Sequence, residues 1–231
     1  MMAKNNTIKQ NLEELYQRIG LCAEKAGKKR EDITLVGVSK TKPAEMLRQA
    51  YDAGLRQFGE NRVQEYLDKQ DKLPGDICWN LIGQLQTNKV KYIIDKNIFL
   101  LHSLDRTSLA EEIQKQCIKH DKTLDVLMQV NISREQTKSG FFEEETNAFL
   151  EGFDKYDRIN LKGLMTIAPF VDDEKTIRGV FEKTRRIFER IAAYREGFTY
   201  LSMGMSGDFE WAILEGANMI RVGSAIFGER I

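Results

Sequence analysis

The chain opens its regular patterning with apolar residues at Ile8, Leu12, Leu15, Ile19 and Cys22, separated by polar and charged positions. Spacings of three and four put these on one stripe of an amphipathic helix, which Gly27 should end. Beyond it the period changes. Short runs rich in Val, Ile, Leu and Phe predict strands at 33–39, 57–59, 77–82, 98–103, 123–131, 161–165, 200–204 and 219–223. Helical patterns lie between them, over Pro43 to Ala53, Arg62 to Lys69, Asp105 to Lys119, Glu143 to Phe153 and Lys175 to Tyr194, each opening near a capping residue or a proline.

Strand followed by helix, repeated, implies parallel strands joined by right-handed crossovers. Eight such units in 231 residues predict a closed (β/α)8 TIM barrel rather than an open doubly wound sheet, with short or irregular second and third strands. No linker, repeat or low-complexity segment interrupts the chain, so residues 1–231 read as a single domain with the first helix as an extra element outside the barrel.

Charge and composition narrow the function. Thirty-five basic residues balance thirty-five acidic ones, so no net field draws nucleic acid or an anionic membrane. The start has no apolar signal core and no apolar run nears the ~20 residues of a membrane helix, so the expected location is cytoplasmic. Cys22, Cys78 and Cys117 are odd in number and far apart, which suits unpaired thiols used for packing. With only His102 and His120, a histidine-rich metal site or a histidine-dependent triad has little material, and each histidine is expected in a surface or capping role.

Candidate chemistry gathers at strand ends. In "ITLVGVSKTKPAE", alternation puts Val36, Val38 and Lys40 on one face, so valines pointing into the barrel would aim the Lys40 amine over its mouth. Partial desolvation there lowers an amine's pKa and frees it for Schiff-base formation, whereas a solvated loop lysine would do nothing. Lys42, before Pro43, should reach solvent or an anion.

After the seventh strand, "SMGMSGDFEWAI" brings Ser206, Gly207 and Asp208 to a turn, and after the eighth, "RVGSAIFG" brings Gly223 and Ser224. Small residues let backbone N–H groups approach an anion, and barrels commonly hold phosphate at these two loops; ordinary turns capped by Ser206 or Asp208 would look the same. Arg221 stands just before the end of the eighth strand, facing a ligand or pairing between barrel layers. A nucleophilic lysine beside a phosphate cradle describes a phosphorylated aldehyde, and pyridoxal phosphate is one.

Seven segments in series, "VGVSKTKP", "FGENRVQEY", "LIGQLQTNK", "VNISREQTKSGF", "GLMTIAP", "LSMGMSGDFEWAI" and "IRVGSAIFGER", resemble the pyridoxal phosphate homeostasis protein family. These are stand-alone relatives of the alanine racemase N-terminal barrel, fold-type III, and the resemblance runs from about Ile33 to the end. It implies a monomer that carries pyridoxal 5′-phosphate as a Schiff base on Lys40, with Asn61 beside the cofactor. It also implies Ser206, Gly223 and Ser224 at the phosphate, Met165 and Ser202 lining the pocket, and Arg221 facing the pyridine nitrogen. Lys138 matches a family loop lysine of no derived role. Asn80 stands where many relatives have histidine, and Gln84 where proline is often seen, so any acid or base role of that histidine is in doubt here.

The function so implied is vitamin B6 homeostasis by a carrier or regulator that hands the cofactor transiently to apo pyridoxal-phosphate enzymes, with no catalytic residue of its own. Two other readings use the same residues. One is a racemase-like enzyme; by resemblance the racemases take their second base from an added C-terminal domain, and this chain ends eight residues past Gly223, leaving Tyr66, Tyr200 and Lys138 as candidates. The other is a cofactor-free Schiff-base aldolase acting on a sugar phosphate.

Overall fold

The computed structural model describes residues 7–135 and 138–229. Residues 1–6, Gln136 and Thr137 of the "VNISREQTKSGF" segment, and Arg230 and Ile231 lie outside the described residues.

Helix α1 (Ile8–Lys25) begins at a capping box: the Thr7 hydroxyl accepts from the Gln10 N–H at 3.3 Å, and the Gln10 side chain accepts from the Thr7 N–H at 2.9 Å. Satisfying two otherwise orphaned donors fixes where the helix starts. Its apolar stripe, Ile8, Leu12, Leu15, Ile19 and Cys22, is buried as the spacing predicts.

All eight expected strands form: β1 (Thr34–Val38), β2 (Gln57–Glu60), β3 (Cys78–Leu81), β4 (Ile98–Leu104), β5 (Leu124–Val130), β6 (Ile159–Thr166), β7 (Tyr200–Ser202) and β8 (Met219–Val222). They close in chain order, every neighbouring pair parallel, with β1 against β8. The crossovers carry α2 (Ala44–Asp52), α3 (Val63–Gln70), α4 (Thr107–His120), α5 (Glu143–Glu151), α6 (Glu174–Ala192) and α7 (Phe209–Leu214), and α8 (Ser224–Phe227) follows β8. Between β3 and β4 the only helical turn is a 3-10 segment, Thr87–Tyr92.

Alternation along the strands sorts side chains into two cores. Outward residues such as Leu35, Phe58, Trp79, Leu101, Leu164, Leu201 and Ile220 join the large core under the helices. Val36, Leu100, Leu127, Met165 and Met219 form a separate apolar plug inside the barrel. Polar Asn80, His102, Ser202 and Arg221 are buried as well, so the barrel's interior chemistry is mixed. Cys22 and Cys117 pack in the outer core, Cys78 is half-buried, and all three thiols are free.

α1 lies outside the barrel and packs on α2, α7 and α8. Asn11 Nδ2 donates to the Ile226 carbonyl at 2.9 Å, and the Arg18 guanidinium meets Glu210 at 2.9 Å.

Candidate ligand site at the barrel mouth

Val36 points into the barrel, and Lys40 stands two alternations later, just past the end of β1, where it is half-buried. The chain turns at once: the Ser39 N–H donates to the Gly59 carbonyl at 3.0 Å, the Lys42 N–H donates to the Ser39 carbonyl at 3.1 Å, and Thr41 sits at φ +64°. Left-handed backbone is strained for a β-branched residue. Lys42 does not reach for an anion: its Nζ donates to the Glu229 carbonyl at 2.8 Å.

Pairing of β1 with β8 sets Val36 opposite Arg221 and Gly37 opposite Val222, which brings Gly223 to Val38. A Cβ on Gly223 would lie 3.2 Å from the Val38 carbonyl oxygen, so a larger residue would push the two strand ends apart. The Gly223 N–H donates to Ser206 Oγ at 3.2 Å, tying the loops after β7 and β8 together. Ser206 therefore accepts from the backbone and keeps its own O–H for an outward partner, and Ser224 is exposed beside it. With α7 at six residues and α8 at four, the dipole adds little, and the groups here able to donate to an anion are the Ser206 and Ser224 hydroxyls. Asp208 closes its own turn by accepting from the Met205 N–H at 2.5 Å, and burial pushes its carboxyl up.

Below the mouth, side chains from five strands form one hydrogen-bonded row. Asn80 Nδ2 donates to Gln57 Oε1 at 2.8 Å and to the Cys78 carbonyl at 3.0 Å, which leaves its Oδ1 to accept from His102 Nε2 at 3.0 Å. His102 Nδ1 then accepts the Ser202 hydroxyl at 3.1 Å, and Ser202 Oγ accepts from Arg221 Nη1 at 2.8 Å. Arg221 Nη2 donates to the Thr166 carbonyl at 2.9 Å. Burial first, and the Arg221 charge second, hold the His102 pKa well below its ordinary value, so the ring is neutral. His102 is fully buried, not in the surface or capping role expected of it; His120, at the end of α4, does take such a role beside Asp95 at 2.8 Å.

Arg221 is 4% exposed, and burial lowers its pKa to about 10, with Asp208 opposing. It remains a cation at neutral pH. Among the described residues no carboxylate forms an ion pair with it, and its two hydrogen bonds leave guanidinium donors for an acceptor.

Comparison with known proteins gives this arrangement a family. The family model "Alanine racemase, N-terminal domain" matches residues 10–231. The pyridoxal phosphate homeostasis protein of Aquifex aeolicus is 43% identical, over 96% of this chain and 97% of that one. This chain belongs to the pyridoxal phosphate homeostasis protein family. Its Escherichia coli K12 relative is 38% identical over 97% of each chain. Among solved structures, PipY of Synechococcus elongatus with pyridoxal phosphate bound superposes with a TM-score of 0.84 at 32% identity, over 96% of this chain and 100% of PipY. Alanine racemase of Corynebacterium glutamicum, at 16% identity and a TM-score of 0.71, shares the fold over 62% of its own length.

In this family member, the other residues singled out in the sequence fall as follows. Asn61 follows β2 with the inward parity of Gln57 and Gly59, and a Cβ on Gly83 would come within 2.4 Å of its carbonyl oxygen, so glycine there lets the chain leaving β3 pass close beside it. A cavity of about 580 Å³ opens next to Asn61, with Arg62, Gln84 and Lys89 in its wall. Met165 is fully buried in the interior plug, in register with Ser202. Lys138 Nζ is held at the rim by Glu135 Oε1 at 2.7 Å and the Ala168 carbonyl at 2.9 Å. Tyr66 lies outside the barrel against Trp79, ring centroids 5.5 Å apart, its hydroxyl pushed up to about 12 by burial. Tyr200 opens β7, away from the mouth.

Sequence reasoning missed Ser39, Glu60 and Lys69, which meet beneath the Lys40 turn, and it missed the role of His102. Ser39 Oγ donates to Glu60 Oε1 at 2.6 Å, and Lys69 Nζ donates to the same oxygen at 2.7 Å. A carboxylate at the outward, core-facing parity of β2 was the available signal, since such a group demands a partner. No group of three or more metal-ligating side chains occurs among the described residues, and none of their helices is long and apolar enough to cross a membrane.

Proposed function

We propose that this chain binds pyridoxal 5′-phosphate, attached through the Lys40 amine, and serves vitamin B6 homeostasis as a monomeric cytoplasmic carrier or regulator. The names of its relatives and the ligand of PipY support the choice of ligand. The observation that carries the reading is Arg221, a buried cation with no ion-pair partner among the described residues, in the row below the mouth. A guanidinium only donates, so what faces it must accept, as an unprotonated pyridine nitrogen does.

The remaining donors fit the same ligand. Ser206 and Ser224 offer hydroxyls to a phosphate, and Gly223 keeps the turn narrow enough for close approach. Asn61, Met165 and Ser202 supply the walls and floor of the pocket. Bound pyridoxal phosphate supplies an aldehyde that an amine captures and a ring that can hold electron density. Arg221 works against the second of these, because a cation beside the ring nitrogen disfavours its protonation. The chain's residues therefore favour holding the cofactor, and passing it to apo enzymes, over turning substrate over.

The test is direct. Adding pyridoxal phosphate should produce a visible absorption band that hydroxylamine abolishes, and borohydride reduction with peptide mapping should find the pyridoxyl group on Lys40. Lys40→Ala should lose the band and keep the fold. A colourless protein that takes up no pyridoxal phosphate, or a label mainly on Lys42 or Lys138, overturns the reading.

A further inference from the structure

The cluster beneath the Lys40 turn is built around one side chain. Lys69, on α3 and 8% exposed, donates from Nζ to Glu60 Oε1 at 2.7 Å, to the Ser39 carbonyl at 2.9 Å and to Glu65 Oε2 at 3.4 Å. An ammonium has three protons, and all three are engaged. Glu65 Oε2 in turn accepts the Thr41 N–H at 2.6 Å. Ser39 and Thr41 are the residues on either side of Lys40. One cation thus grips the backbone before Lys40 directly and the backbone after it through Glu65. Glu60, wholly buried on β2, anchors that cation to the barrel wall.

Stability alone does not account for this arrangement. A buried cation with two carboxylates is seldom more stable than well-packed apolar side chains in the same space. Glu60 Oε2 has no hydrogen-bond partner among the described residues, which adds to the cost of burying it. The turn it holds is itself strained, with Thr41 at φ +64°, a geometry that persists only where surrounding contacts impose it.

We propose that Lys69 is a positioning residue for ligand capture: braced by Glu60 and Glu65, it fixes the Ser39–Thr41 turn so that the Lys40 amine meets the aldehyde of the ligand. This rests on the reading of Lys40 given above. Lys69 acts through the turn and need not touch the ligand, so its loss should impair covalent capture and spare recognition of ring and phosphate.

Two probes separate those effects: pyridoxal 5′-phosphate, and pyridoxine 5′-phosphate, which has the same ring and phosphate but an alcohol in place of the aldehyde. In Lys69→Met, affinity for the aldehyde should fall about tenfold or more while affinity for the alcohol changes less than about threefold, the penalty expected for misplacing a reacting group. Arg178→Met, which breaks a remote surface pair with Glu215, serves as the control. Should Lys69→Met fail to fold, Glu65→Ala, which removes the acceptor for Thr41, must shift the ratio in the same direction. Unchanged affinity for the aldehyde, equal losses for both probes, or the same ratio shift in Arg178→Met overturns the proposal while leaving the role of Lys40 standing. A wild-type chain that binds neither probe overturns the reading of Lys40, and this inference with it.

Discussion

Acidification should weaken the fold through His102, and the size of the effect follows from its burial. In the folded chain the ring is neutral, enclosed by Asn80, Ser202 and the Arg221 cation, and its pKa lies well below the ordinary 6.5. The unfolded chain titrates near that ordinary value, so between the two pKa values it binds one proton that the folded chain refuses. The stabilisation is therefore complete above the unfolded pKa and is lost as pH falls towards the folded one. One proton corresponds to about 1.4 kcal/mol per pH unit in the limit, and integrating from about pH 7.5 to about pH 5.5 with the folded ring neutral throughout gives an upper bound of about 1.4 kcal/mol. Glu60 and Asp208, whose carboxyls burial pushes up, act in the opposite sense: as pH falls they gain protons more readily folded than unfolded. Comparison with His102→Gln, which keeps a donor and an acceptor, cancels them. Urea unfolding of both proteins without ligand, at about pH 7.5, 6.5 and 5.5, should show wild type losing more than the variant across that span, by up to about 1.4 kcal/mol. Parallel curves would refute the reasoning, as would nuclear magnetic resonance showing His102 titrating near its ordinary pKa in the folded chain.

Two further outcomes probe the ligand site. Ser206→Ala combined with Ser224→Ala should weaken pyridoxal phosphate about tenfold more than unphosphorylated pyridoxal, as expected for losing hydrogen bonds to a charged group, whereas equal losses would mean that these serines only shape their turns. In deuterated solvent, L-alanine with the loaded protein should keep its configuration, with at most slow exchange at the α-carbon, since Tyr66 and Tyr200 lie away from the mouth and the Lys138 amine is tied to Glu135 and the Ala168 carbonyl. Inversion at about one to a thousand per second would overturn the carrier reading.

The barrel was legible because each parallel strand is a short, nearly continuous apolar run bounded by turn residues. Its ends were less so. β6 starts at Ile159, two residues before the predicted edge, because Asn160 and Lys162 interrupt the apolar pattern there. β7 stops at Ser202 because the chain bends at Gly204, φ +95°, where a Cβ would lie 2.6 Å from that of Ala212. Parity within a single strand was enough to put Lys40 in phase with the inward Val36, just past the end of β1. The row from Asn80 to Arg221 could not be read that way, since His102 and Ser202 are 100 residues apart and meet only when the barrel closes. Lys69 was half legible: its pairing with Glu65 is a helical spacing of four, but its contact with Glu60 depends on how α3 settles against β2.

The seam between β1 and β8 has a consequence for how the protein comes into being. Lys40 follows the first strand of the barrel and Arg221 lies on the last, yet their strands are direct neighbours. On the ribosome, β1 emerges early and must wait for β8, with nearly the whole barrel made in between. A contact of that sequence separation is slow to form, because most of the chain's entropy is spent before it is rewarded. The Arg221 cation, Lys40 and the Gly223 turn come together only at that final closure. The site proposed for the ligand does not exist in a half-made barrel, so a ligand held there cannot trap an incomplete fold. Once the seam is shut, anything bound across it stabilises the finished barrel alone.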